Sequence, residues 1–107
     1  STNHHDLGLI AIGPAAPRPP HGATGLYHLA WRVGSISELA RAREVLADAG
    51  ALRGQSDHGV SKSLYAADPD GNELEVMYLL DEADWGEYAT KAVGAPLDLE
   101  AELDRWA

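Results

Sequence analysis

His28 and Glu75 are the two residues whose type and setting could hold a metal ion. His28 lies inside the alternating segment Gly25 to Val33. Glu75 stands between Leu74 and Val76, so the side of that segment it faces must accept charge. Neutral imidazole with carboxylate suits first-row divalent metals, and two imidazoles plus one carboxylate with open positions is the pattern of non-haem Fe(II). One such His and one such Glu are supplied. His58, between Asp57 and Gly59, sits in a turn-like setting that could aim its ring into a pocket or into solvent. Tyr65 ends a strand with its hydroxyl free to donate. Taken singly, each of these four also fits a purely structural role. His4 and His5 read as part of a terminus, and His21 as a solvated residue of a proline loop.

The elements that must position these residues can be read along the chain. His5 to Ile12 is a short apolar run with the character of a strand, closed by Gly13-Pro14. Residues 14–24 are a proline-stiffened loop. In Gly25–Val33, alternation places Leu26, His28, Ala30 and Arg32 on one face and Tyr27, Leu29, Trp31 and Val33 on the other. Ser35-x-x-Glu38 has the form of a capping box. Ile36, Leu39, Ala42, Leu46 and Ala49 follow at helical spacing, with Gly50 at the position of a left-handed cap. A short strand near Ala51–Gly54 and a firmer one at Ser61–Ala67 are expected. Asp68-Pro69-Asp70-Gly71-Asn72 is a concentrated turn signal, and Glu73–Leu80 is the last strand. Residues 81–107 read as a helical tail in two pieces broken near Gly94-Ala95-Pro96, with Leu97, Leu99, Leu103 and Trp106 on a packing face. The expected class is α+β, with the order β-α-β-β-β over residues 25–80.

Composition narrows the partners. The chain has 107 residues, 17 acidic against 8 basic, and a formal net charge of −9. Such a charge argues against nucleic acid and anionic membrane, which require a basic face. There is no cysteine, hence no disulfide and no thiolate metal site, which fits a reducing cytoplasm. No apolar run approaches the ~20 residues of a membrane-spanning helix.

The string Asp57-His58-Gly59-Val60-Ser61-Lys62-Ser63-Leu64-Tyr65-Ala66-Ala67-Asp68-Pro69-Asp70-Gly71-Asn72-Glu73-Leu74-Glu75-Val76 resembles the signature of type I extradiol dioxygenases. With Gly25-Leu26-Tyr27-His28 upstream, it is similar to the catechol 2,3-dioxygenase branch of the vicinal oxygen chelate superfamily. The Asp-Pro-x-Gly-Asn turn followed by Glu is shared by glyoxalases and antibiotic-binding proteins and specifies the fold. The His58 and Tyr65 pattern is narrower.

The resemblance implies paired βαβββ modules whose curved sheets enclose a metal, with His28 and Glu75 as ligands of Fe(II), or of Mn(II), and O2 as co-substrate. It implies that residues 1–13 are the last strand of a preceding module, with His5 as the active-site histidine near bound dioxygen. His58 and Tyr65 become hydrogen-bonding groups for the substrate oxygens. The family's remaining metal-binding His lies on the opening strand of that preceding module, and no residue here matches it. An N-terminal half, as a separate chain or a missing segment, is therefore expected as a partner, along with an aromatic diol substrate and an oligomeric assembly. The alternatives are a binding module of the same fold without catalysis, or a metal-dependent isomerase or lyase.

Overall fold

Serine 35 starts the only long helix by closing its own first turn. In the computed structural model, which describes residues 1–107, the Ser35 hydroxyl accepts from the Glu38 amide at 3.1 Å. The Glu38 carboxylate reaches back to the Gly34 amide at 2.6 Å. Two orphan donors of the helix start are thereby satisfied. Helix α1 spans Ile36–Asp48. It ends in a Schellman motif: Gly50 takes φ +67°, its amide bonds the Ala47 carbonyl at 2.9 Å, and Ala51 bonds Leu46 at 2.8 Å.

Strand β1 (His28–Val33) precedes α1, and β2 (Leu52–Asp57), β3 (Ser61–Ala67) and β4 (Glu73–Leu79) follow it. The sheet order is β1-β4-β3-β2, with β1 parallel to β4 and the other pairs antiparallel. This is the expected βαβββ order. Two 3-10 turns, Glu82–Asp84 and Gly86–Ala89, and helix α2 (Leu99–Trp106) complete the chain. No helix is long and apolar enough to cross a membrane.

The register assigns each side chain to a face. Val33, Leu64, Val76, Tyr78 and Leu52 meet α1 and α2 around a core of Ile36, Leu39, Leu64, Leu97 and Leu99. Leu103 and Trp106 pack against the same core, so the apolar spacing of the tail marks its packing face as expected. The opposite face receives no helix, and it is the face that carries the candidate site.

Three boundaries differ from the sequence expectation. The segment His5–Ile12 forms no strand; Leu9, Ile10 and Ile12 are largely exposed. A strand exists only where a neighbour supplies the other half of its hydrogen bonds, and no strand of the sheet pairs with these residues. β1 begins at His28 rather than Gly25, for its register with β4 starts at the His28–Glu73 pair. β2 extends to Asp57 rather than stopping at Gly54. Its polar end Gln55-Ser56-Asp57 looks like a loop in sequence but is paired on one side by β3 and on the other by Ala95.

Candidate functional site on the open sheet face

Parallel pairing sets His28 opposite Glu73, two residues before Ala30 opposite Glu75. Alternation then leaves His28 and Glu75 as diagonal neighbours on the open face. His28 Nε2 and Glu75 Oε2 lie 3.0 Å apart, with the Glu75 residue buried and His28 half-buried. On the other flank of β4, Tyr65 is the direct antiparallel partner of Glu75 and so shares its face. The His28 and Tyr65 rings are 6.1 Å apart, and Tyr27 lies against His28 at 4.5 Å between centroids.

His58 joins this group from the β2–β3 turn. Its Nε2 is 2.8 Å from the Tyr65 hydroxyl, and its Nδ1 is 3.1 Å from the Val93 carbonyl. A carbonyl can only accept, so Nδ1 carries a proton; in the neutral ring Nε2 is then bare and accepts the Tyr65 O–H. Burial, reinforced by the Glu75 carboxylate, pushes the Tyr65 phenol above its usual range, so its proton is retained at neutral pH.

The donor set can be tested against a metal directly. A separation of 3.0 Å is what two cis donors show when each lies ~2.1 Å from a shared ion. His28 Nδ1 and Ser63 Oγ are buried without any hydrogen-bond partner. By register Ser63 shares the face of Tyr65 and Glu75, so both orphaned atoms belong to strands of the site. The two side chains fit a divalent ion in kind and spacing. They are incomplete in number, since no group of three or more His, Cys, Asp or Glu is placed to hold a metal.

His28, Glu75, Tyr65 and His58 are thus brought together. His5 is not brought to them. It is exposed, its ring lies against Gly8, and it forms no hydrogen bond with the other four. His4 and His21 are exposed. Sequence reasoning missed Ser63, whose position two before Tyr65 on a strand was the available signal. It also missed the Val93 carbonyl, a backbone group with no sequence signal at all.

The model of the Glyoxalase/Bleomycin resistance protein/Dioxygenase superfamily matches residues 2–76. The chain belongs to this superfamily. The matched stretch includes all five candidate residues, and the four-stranded mixed sheet with its helices is consistent with the superfamily's module.

Two curated relatives are named as dioxygenases. Catechol-2,3-dioxygenase of Bacillus subtilis (strain 168) is 43% identical over 58 residues, which is 54% of this chain and 20% of that protein. Biphenyl-2,3-diol 1,2-dioxygenase 2 of Rhodococcus globerulus is 37% identical over 76 residues, 69% of this chain and 40% of that protein. The chain therefore spans less than half the length of either relative. No solved structure gives a significant match.

Proposed function

We propose that this chain supplies one half of the active site of an extradiol dioxygenase that opens catechol-type aromatic rings with Fe(II) and O2. The observation that carries the reading is the His28–Glu75 pair, 3.0 Å apart on an open sheet face, with the Tyr65–His58 hydrogen-bonded pair one strand away. The names of the two relatives point the same way.

His28 Nε2 and Glu75 Oε2 would hold the ion, and an N-terminal half would bring the third ligand. Bound Fe(II) would template the diol beside dioxygen and pass electrons between them. The chain's own residues manage protons. With its hydrogen committed to His58, the Tyr65 oxygen turns lone pairs toward the open face and accepts a hydrogen bond from a substrate hydroxyl. When that hydroxyl deprotonates, its proton passes to the Tyr65 oxygen as the Tyr65 proton moves to His58 Nε2. The resulting imidazolium keeps Nδ1–H on Val93 and donates Nε2–H to Tyr65, whose own O–H then faces the substrate as an acid. His5 would serve as the acid–base group on the dioxygen side once its segment pairs with the rest of its own module.

The experiment is anaerobic loading of the assembly with Fe(II), addition of catechol, and admission of oxygen. The expected result is a coloured semialdehyde product, lost together with bound iron in His28→Ala and Glu75→Ala. Retention of full iron occupancy by both variants would refute the ligand assignment. Repeating the assay with Mn(II) decides between the two metals.

A further inference from the structure

The proton pathway depends on one tautomer of His58, and that tautomer is set by the chain beyond the region matched to the superfamily, which stops at residue 76. Residues 93–97 run along the outer edge of β2. Asp57 and Ala95 exchange backbone bonds in both directions, at 2.8 and 2.9 Å. Gln55 Nε2 donates to the Leu97 carbonyl at 2.8 Å. Two residues before Ala95, the Val93 carbonyl meets His58 Nδ1.

Further attachments keep this strap in place. Leu97 and Leu99 are buried in the core. The Lys62 ammonium, almost fully buried, bridges Asp57 at 2.7 Å and Glu102 of α2 at 3.3 Å. Glu102 in turn accepts from Trp106 Nε1 at 2.7 Å. Lys62 thereby ties the strand end that precedes His58 to the helix that follows the strap. From the other side the Tyr88 ring lies on Gly59, where an added Cβ would come within 2.5 Å of it. The turn carrying His58 is held by the tail on both sides.

We infer that the strap 93–97 is a positioning element that locks His58 in its Nδ1–H form and so dictates that Tyr65 donates toward His58 and accepts from the substrate. The consequence for turnover rests on the dioxygenase reading; the tautomer does not. Without the Val93 carbonyl, the imidazole could carry its proton on Nε2. It would then donate to Tyr65, and the phenol hydrogen would point at the substrate hydroxyl in competition with that hydroxyl's own proton.

The test is 15N labelling of histidine rings in the iron-free protein, with the His58 signals assigned by their loss in His58→Gln. For neutral His58, Nδ1 should resonate as a protonated nitrogen and Nε2 as a bare one. Ala95→Pro removes the amide that bonds Asp57, and should move both signals toward a common average. Val33→Ala, on β1 at the opposite edge of the sheet, should lower stability and leave the pattern intact. Should Ala95→Pro fail to fold, Gln55→Ala loosens the strap through the Leu97 bond alone and should move the signals the same way. In the iron-loaded assembly Ala95→Pro should lower kcat about tenfold with KM little changed, the size expected when a supporting hydrogen bond is lost. A wild-type tautomer pattern in both strap variants, or an equal change in Val33→Ala, would overturn the inference. Absence of ring opening by the wild type would instead sink the dioxygenase reading, with the nitrogen shifts still deciding the role of the strap.

Discussion

On the proposed reading Tyr65 and His58 would handle protons while His28 and Glu75 would hold the metal, and substitution should separate the two pairs. Tyr65→Phe removes the hydroxyl between His58 and the open face while leaving His28 Nε2 and Glu75 Oε2 in place. Iron should be retained and ring cleavage should slow by about a hundredfold, the scale of a lost proton-transfer group; iron analysis beside steady-state kinetics checks this. Asp68 offers a test that needs no metal. Its carboxylate accepts from the Asn72 side chain at 2.9 Å and from the Asp70 and Asn72 amides at 2.9 and 2.8 Å. These bonds, led by that from the Asn72 side chain, hold its carboxyl below the usual carboxylate range. A depressed folded pKa contributes stability that is present above the unfolded value and lost as pH falls through the folded one. Because water screens this solvent-facing carboxylate, Asp68→Ala should cost only about 0.5 kcal/mol at neutral pH. The gap from wild type should shrink as pH drops below about 4, a trend that urea melts at several pH values would follow.

Among the elements, the two glycine-dependent turns carry the sharpest expectations. Gly50 holds φ +67° with nothing near its absent Cβ, so Gly50→Ala should cost only the left-handed backbone term, about 1 kcal/mol. Gly59 holds φ +78° and also faces the Tyr88 ring. Gly59→Ala should therefore cost clearly more than Gly50→Ala, and Tyr88→Ala in the same chain should recover part of the difference. Equal melting midpoints for the two alanine variants would mean that Tyr88 does not press on the turn. Most of the elements themselves were legible, for local reasons. α1 carries its own start and stop residues, and β3 and β4 flank a turn whose Asp68 bonds its own neighbours. The polar end of β2 was not legible, because its partners, β3 and Ala95, lie further along the chain. The 3-10 turns of residues 82–89 were not legible either, because i to i+3 bonding leaves no spacing signal distinct from an α-helix over so short a run.

As a whole molecule, the chain has one sheet covered on one face. Its Cα radius of gyration is 15.9 Å, against ~13 Å for a compact chain of this length. Eleven of the 107 residues are buried, and five of them, Ile36, Leu39, Leu64, Leu97 and Leu99, form the core between the sheet and the two helices. So small a core leaves little reserve: Leu39→Ala, at a fully buried position, should cost about 2–5 kcal/mol and leave the chain largely unfolded. A polypeptide bringing the third ligand should bind the open face, raise the melting temperature and confer iron binding together, since whatever binds the folded form alone stabilises it. Native mass spectrometry reads stoichiometry and bound metal in one measurement. A stabilising complex that stays metal-free would contradict the split-site proposal.

What the sequence determined by itself was whatever short-range rules control. Strand alternation put His28 on one face of β1, helical spacing and capping delimited α1, and the Asp-Pro-Asp-Gly-Asn turn returned the chain into β4 with Glu75 two residues further on. The tertiary structure decided which strands became neighbours. Inserting β4 between β1 and β3 is what sets Glu75 beside both His28 and Tyr65. It decided equally that His5 stays away, because a strand without a partner cannot form. It also chose the backbone carbonyl that fixes the His58 proton, because every residue has a carbonyl and only the folded chain selects one.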